Sequence, residues 1–215
     1  MANIFGKQRP IVKIGIWILV LMIIVGLLGT TLVWYLGSDE QQRQQSGVED
    51  PASEEDVVVT EIEKQEALRG QYEEMLASDP EDLTVLTGYA RVEMQLGELY
   101  LQNQKESQGK EAFQRAVPLY QKALEKEEDS RLRLELASVY QLLGEDSQAE
   151  EELNKILEQD PGDINALAQK GVLLESREDW DGAIQAWESV ADSSQADDMT
   201  KEIAKARIKE LKEQK

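Results

Sequence analysis

The chain has 215 residues, 43 acids against 23 bases and a net charge of −20, with neither Cys nor His. Those two absences remove disulfides, thiolate zinc sites, haem attachment, cysteine nucleophiles and every His-based triad. A field of that sign repels nucleic acid phosphates and anionic lipid headgroups and favours basic partners.

Residues 1–13 form a short basic start. Lys7, Arg9 and Lys13 are the only charges before residue 38, so residues 38–215 hold −23. From Ile14 to Gly37 the chain runs 24 residues without a charge. At ~1.5 Å per residue such a helix crosses the ~30 Å hydrocarbon core. Trp17 stands near one end and Trp34–Tyr35 at the other, where amphipathic rings settle at headgroup level. The run exceeds the ~7–15-residue apolar region of a cleaved signal peptide. Its far end is bulky where a cleavage site needs small residues, so the expectation is an uncleaved signal anchor over residues 14–37. The basic flank stays in the cytoplasm, which puts residues 38–215 outside the cytoplasmic membrane.

Residues 38–55 are rich in Gln, Ser, Gly, Pro and acids and show no apolar periodicity. They read as a flexible polar linker. Thr60 and Glu63 have the spacing of a capping box. A helix over 60–77 follows, carrying Leu68, Tyr72, Met75 and Leu76 ahead of Pro80.

Beyond Pro80 the chain repeats itself. Shifting residues 130–163 by 34 sets Ala137 on Gly171, Tyr140 on Leu174, Ala149 on Ala183, Leu153 on Trp187 and Ile156 on Val190. Two helical apolar patterns lie in each copy, split by a turn at Leu143–Gly144 and at Arg177–Asp179. Each copy is therefore an antiparallel helical hairpin. The small residues mark where its helices cross closely, and one unit cannot bury both faces, so units stack.

The 130–163 pattern, Leu136-Ala137-x2-Tyr140-x3-Gly144 and then Ala149-x3-Leu153-x2-Ile156-Leu157-x3-Pro161, resembles the tetratricopeptide repeat (TPR) signature over its full length. Residues 164–197 resemble it again, departing at Lys170 and Gln195. Residues 83–129 fit as an extended repeat, with Leu83, Leu86 and Ala90 in the first helix and Ala116, Tyr120, Ala123 and Leu124 in the second. The gap between those helices is about 14 residues too long. The surplus, residues 97–111, is expected as a first helix prolonged to about Gln104 and a loop through Ser107–Gly109. Pro118 should bend the second helix or lie in its first turns. Residues 60–80 resemble a lone second helix. Residues 198–215 resemble a capping helix with Met199, Ile203, Ala206 and Leu211 on its apolar side.

The implied fold is all-α: a helical-hairpin solenoid over 56–197 of about three repeats plus a cap, following a single transmembrane helix. The resemblance also implies a concave groove lined by the first helices. Its positions here include Thr87, Arg91 and Gln95, then Arg131, Leu134, Ser138 and Gln141, then Asn165 and Val172. Arg91 and Arg131 would add positive charge to it. The Lys, Asn and Arg clamp that some family members use for acidic C-terminal peptides is absent. Thr87, Arg91, Leu134, Ser138, Asn165 and Gln169 stand in its place. Trp180 and Trp187 sit at large core positions.

No catalytic residue, cofactor or metal ligand set is expected. The leading reading is a non-catalytic scaffold or adaptor holding a protein or peptide partner, with the membrane engaged through residues 14–37 and no nucleic acid bound. Layouts of this type resemble ancillary subunits of the secretory translocon and accessory factors of cytochrome c maturation. The alternative is a self-associating scaffold of a membrane complex.

Overall fold

A computed structural model of the chain describes residues 54–214. The basic start, the expected anchor and the linker up to residue 53 lie outside the described residues. Among the described residues no helix is long and apolar enough to cross a membrane.

These residues form eight helices and no strand: α1 (Glu54–Ser78), α2 (Leu83–Gln102), α3 (Glu106–Lys126), α4 (Ser130–Leu143), α5 (Asp146–Gln159), α6 (Ile164–Ser176), α7 (Trp180–Asp192) and α8 (Asp198–Gln214). Each packs on the next in chain order, and α4 also touches α6. The pairs α2–α3, α4–α5 and α6–α7 are the hairpins of a TPR-like solenoid.

Local chemistry repeats with the fold. Asp82, Asp129 and Asp163 cap α2, α4 and α6, each side chain accepting from a backbone N–H of the first turn. Asp197 does the same for α8, accepting from Thr200 N at 2.7 Å. These carboxylates satisfy amides that a helix start leaves orphaned. Each hairpin turns through one left-handed residue: Gln104 (φ 58°), Gly144 (φ 75°) and Glu178 (φ 61°). The following amide closes each turn in the same way. Lys105 N donates to Tyr100 O, Glu145 N to Tyr140 O and Asp179 N to Leu174 O, at 2.7, 2.8 and 2.9 Å.

The turn register explains the long first hairpin. Tyr100 matches Tyr140 and Leu174, so Gly97 matches Ala137 and Gly171, and Gly109 matches Ala149 and Ala183. The surplus is thus divided, about two helical turns going into each helix. Because about seven residues make two turns, both helices keep their buried faces in phase. Ala90 and Ala116 form one close crossing, and Gly97 and Gly109 form a second nearer the tip. A Cβ on Gly97 would lie 2.5 Å from Phe113 Cδ1, and one on Gly109 would lie 3.0 Å from Gly97 O.

The longer hairpin needs a longer cover. α1 supplies it: Ile62 is buried against Val92, Leu96, Tyr100 and Ala112, with Val58, Leu68 and Tyr72 at the margin. The Tyr72 and Tyr89 rings stack at 6.3 Å. Tyr89 donates to Glu73, and Tyr100 to Glu66.

Several expectations are corrected. Ser107–Gly109 is helical, inside α3, because Gly109 is buried at the second crossing. α2 is prolonged as expected, ending at Gln102. Thr60 and Glu63 fall inside α1, which begins at Glu54, so their spacing marks no helix start. Pro118 lies mid-helix in an unbroken α3; its ring is exposed. In α8 the buried side is Ala204 and Leu211, with Ile208 packed beside them. Met199 and Ile203 face solvent.

Candidate functional site

The first helices of successive hairpins share one face, joined by side-chain contacts from unit to unit. Arg91 on α2 donates through Nε and Nη2 to the Glu135 carboxylate on α4, at 2.9–3.2 Å. Gln169 on α6 donates to Ser138 Oγ on α4 at 2.6 Å, and lies 3.4 Å from Leu134 O and 3.5 Å from Gln141 Oε1. The two contacts are equivalent. In each, a residue of the later helix meets the earlier helix one turn past its own matching position: Glu135 matches Gly88 but meets Arg91, and Gln169 matches Glu135 but meets Ser138.

The central expected residues therefore meet. Leu134, Ser138 and Gln141 lie along α4 and converge on Gln169. Leu134 is half-buried and leans on the main core. Gln141 Nε2 is buried without a hydrogen-bond partner. Thr87 is half-buried, its hydroxyl bonded to Leu83 O and Thr84 O in its own helix. Gln95 and Asn165 are exposed, and Val172 is half-buried.

The expected positive charge is corrected by pairing. Glu135 balances Arg91 and holds its guanidinium above its usual range. Arg131 lies beside its neighbour Asp129 at 3.4 Å. The free charge on this face is instead Glu98 on α2. It is half-buried, makes no hydrogen bond or ion pair among the described residues, and burial raises its carboxyl above the ordinary range. The sequence pattern missed Glu98 because the stretched hairpin hid its register. Gln169 was visible only as a position lacking the clamp.

Other charged groups are tied down structurally. Glu93 is fully buried and accepts from Arg115 Nε at 2.9 Å. Glu175 accepts from Trp187 Nε1 at 2.7 Å and from the Arg207 guanidinium, which fastens α8 to α6. Trp187 is thus a core residue with its polar edge satisfied. A cleft of about 420 Å³ between α3, α4 and α5 includes Arg133, Glu152 and Lys155. These three ions are already paired with one another.

Residues 108–173 match the Tetratricopeptide repeat family. That stretch of the chain is tetratricopeptide repeat sequence. A solved TPR protein from Parabacteroides merdae is similar with a TM-score of 0.50 and 16% identity, covering 74% of this chain and 60% of that one. This chain thus spans about 60% of the length of that TPR protein. YrrB, described as a TPR protein with an unusual peptide-binding site, aligns over 70% of this chain and 88% of its own (TM-score 0.38, 20% identity). MamA aligns over 76% of this chain and 95% of its own (TM-score 0.42, 17% identity). No curated protein matches the chain.

Proposed function

We propose that this TPR protein is a non-catalytic scaffold that holds a protein or peptide partner on its first-helix face, next to the cytoplasmic membrane. The observation that carries the reading is the continuity of that face. The Arg91–Glu135 and Ser138–Gln169 contacts join α2, α4 and α6 side by side. A mixed polar and aliphatic strip built on rigid helices suits an extended or helical peptide. Residues 14–37 supply the membrane anchor, and Lys7, Arg9 and Lys13 keep the N-terminus inside, so that the repeats stand on the extracytoplasmic side. Service to secretion, protein folding or cytochrome c maturation is an analogy at fold level. A chain without His or Cys lacks the commonest catalytic groups.

Partner capture from solubilised membranes tests the reading. A Leu134→Ala, Gln141→Ala double variant should lose recovery of its main partner by on the order of tenfold, as expected when central interface anchors are truncated. Glu151→Gln with Glu158→Gln, on α5 and away from the face, should leave recovery unchanged. Equal recovery from both variants would sink the assignment.

A further inference from the structure

The last helix has an anatomy that capping alone does not explain. α8 stands in the register of a first helix: Asp197 caps it as Asp163 caps α6, one repeat length earlier. Ala204 and Leu211 pack it on α7. No second helix follows it among the described residues. The position where complete hairpins bury Ala90, Ala137 or Gly171 holds Lys205, which is exposed and paired with Glu202. That side is solubilised, as the end of a stack requires.

The side continuing the first-helix face is different. Met199 is 66% exposed and Ile203 is 54% exposed, with exposed Ala206 one turn on. Ile203 matches Glu135 and Gln169, the residues that reach back to the preceding first helix. Its opposite number on α6 is Val172. The cross-unit pair thus changes along the stack: charged at Arg91–Glu135, amide–hydroxyl at Gln169–Ser138, and apolar at the Val172–Ile203 position. Ala168 on α6 adds to the apolar end. At the other end Arg91 is neutralised, which leaves the unpaired Glu98 carboxylate beside exposed Gln95.

We infer that the face is polarised and that α8 completes it. The occupant is a peptide segment with an aliphatic anchor at one end, seated on Val172, Ile203 and Met199, and a Lys or Arg at the other, seated on Glu98. This rests on the first-helix face being the binding face. Charge complementarity supports the basic end, because Glu98 is the uncompensated group there and the surrounding domain is strongly acidic. Burying an aliphatic anchor supplies most of the gain, since apolar burial contributes roughly 25 cal/mol per Å². The half-buried carboxylate then fixes direction, because an unpaired charge in that setting favours one polarity of peptide over its reverse.

The test is selection of random twelve-residue peptides displayed on phage against the 215-residue chain in mild detergent. Enriched peptides should carry Lys or Arg at one end and Leu, Ile, Met or Phe at the other. Glu98→Lys should switch the enriched charge from basic to acidic, a reversal that damage to the fold would not produce. Ile203→Asp should remove the aliphatic preference and weaken the selected peptides at least tenfold, with helicity unchanged by circular dichroism. Peptides that lose binding to Leu134→Ala, Gln141→Ala but ignore Glu98→Lys and Ile203→Asp would overturn the polarity and leave the face standing. Indifference to all of these variants, or no enrichment at all, would overturn both.

Discussion

Glu98 shows how one residue is placed at a cost to the fold. Its carboxyl is half-buried with no cation beside it, so burial favours the protonated form. A carboxyl raised by folding is neutral to stability well below its unfolded value of about 4.3, where both states are protonated. It costs stability as pH rises through the raised value. Glu98→Gln should therefore raise the melting temperature at pH 7, and the gain should vanish on acidification below about pH 4. A gain that persists at low pH would mean that packing and not charge is responsible. Arg91 teaches the converse. Read by position alone it promises positive charge on the first-helix face, but Glu135 belongs to a different repeat and the pairing appears only when α2 and α4 stand together.

At the scale of elements, the hairpins are set by small residues twelve apart. Ala137 with Ala149 and Gly171 with Ala183 give that spacing, and it was legible because the two copies are in register. Gly97 and Gly109 have the same spacing. Their signal was masked because the segment reads as surplus when Ala90 is aligned first. The surface stripe of α8 was misassigned for a related reason. Met199, Ile203 and Ala206 are as periodic as Ala204, Ile208 and Leu211, and periodicity alone does not say which stripe meets α7. Gly97 is the sharpest check on the duplicated crossing. Gly97→Ala gains about 1 kcal/mol of helix propensity but drives a methyl into the Phe113 ring, which is fully buried. Overpacking of this kind costs about 1–3 kcal/mol, so a lower melting temperature is expected. Gly70, in α1, has nothing within 4 Å of a Cβ. There the same change should stabilise by about 0.5–1 kcal/mol. Opposite signs for the two variants in thermal melts are the expected result, and equal signs would remove the second crossing.

For the whole molecule, the two outermost described helices are each half of a hairpin. Among the described residues, α1 is a second helix with no first helix before it, and α8 a first helix with no second after it. Met75 is 50% exposed at the register where Ala123, Ile156 and Val190 are buried. Leu68 and Lys205 stand at positions that complete hairpins give to small residues, which disfavours end-to-end docking of copies as a further hairpin. The anchor proposed for residues 14–37 makes its own prediction. Protease added to intact spheroplasts should degrade the repeat domain; survival until the membrane is lysed would reverse the orientation.

The central claim is that the first-helix face is where the partner sits. Site-specific photo-crosslinking in living cells tests it most directly. A photoreactive amino acid is placed singly at Gln95, Asn165 or Ile203 on that face, and at Glu151 or Glu158 on α5. Every one of these side chains lies at an exposed position whose replacement spares the core. The account predicts one shared crosslinked partner from the three face positions and none from α5. Crosslinks to that partner from Glu151 and Glu158, with the face positions silent, would contradict it.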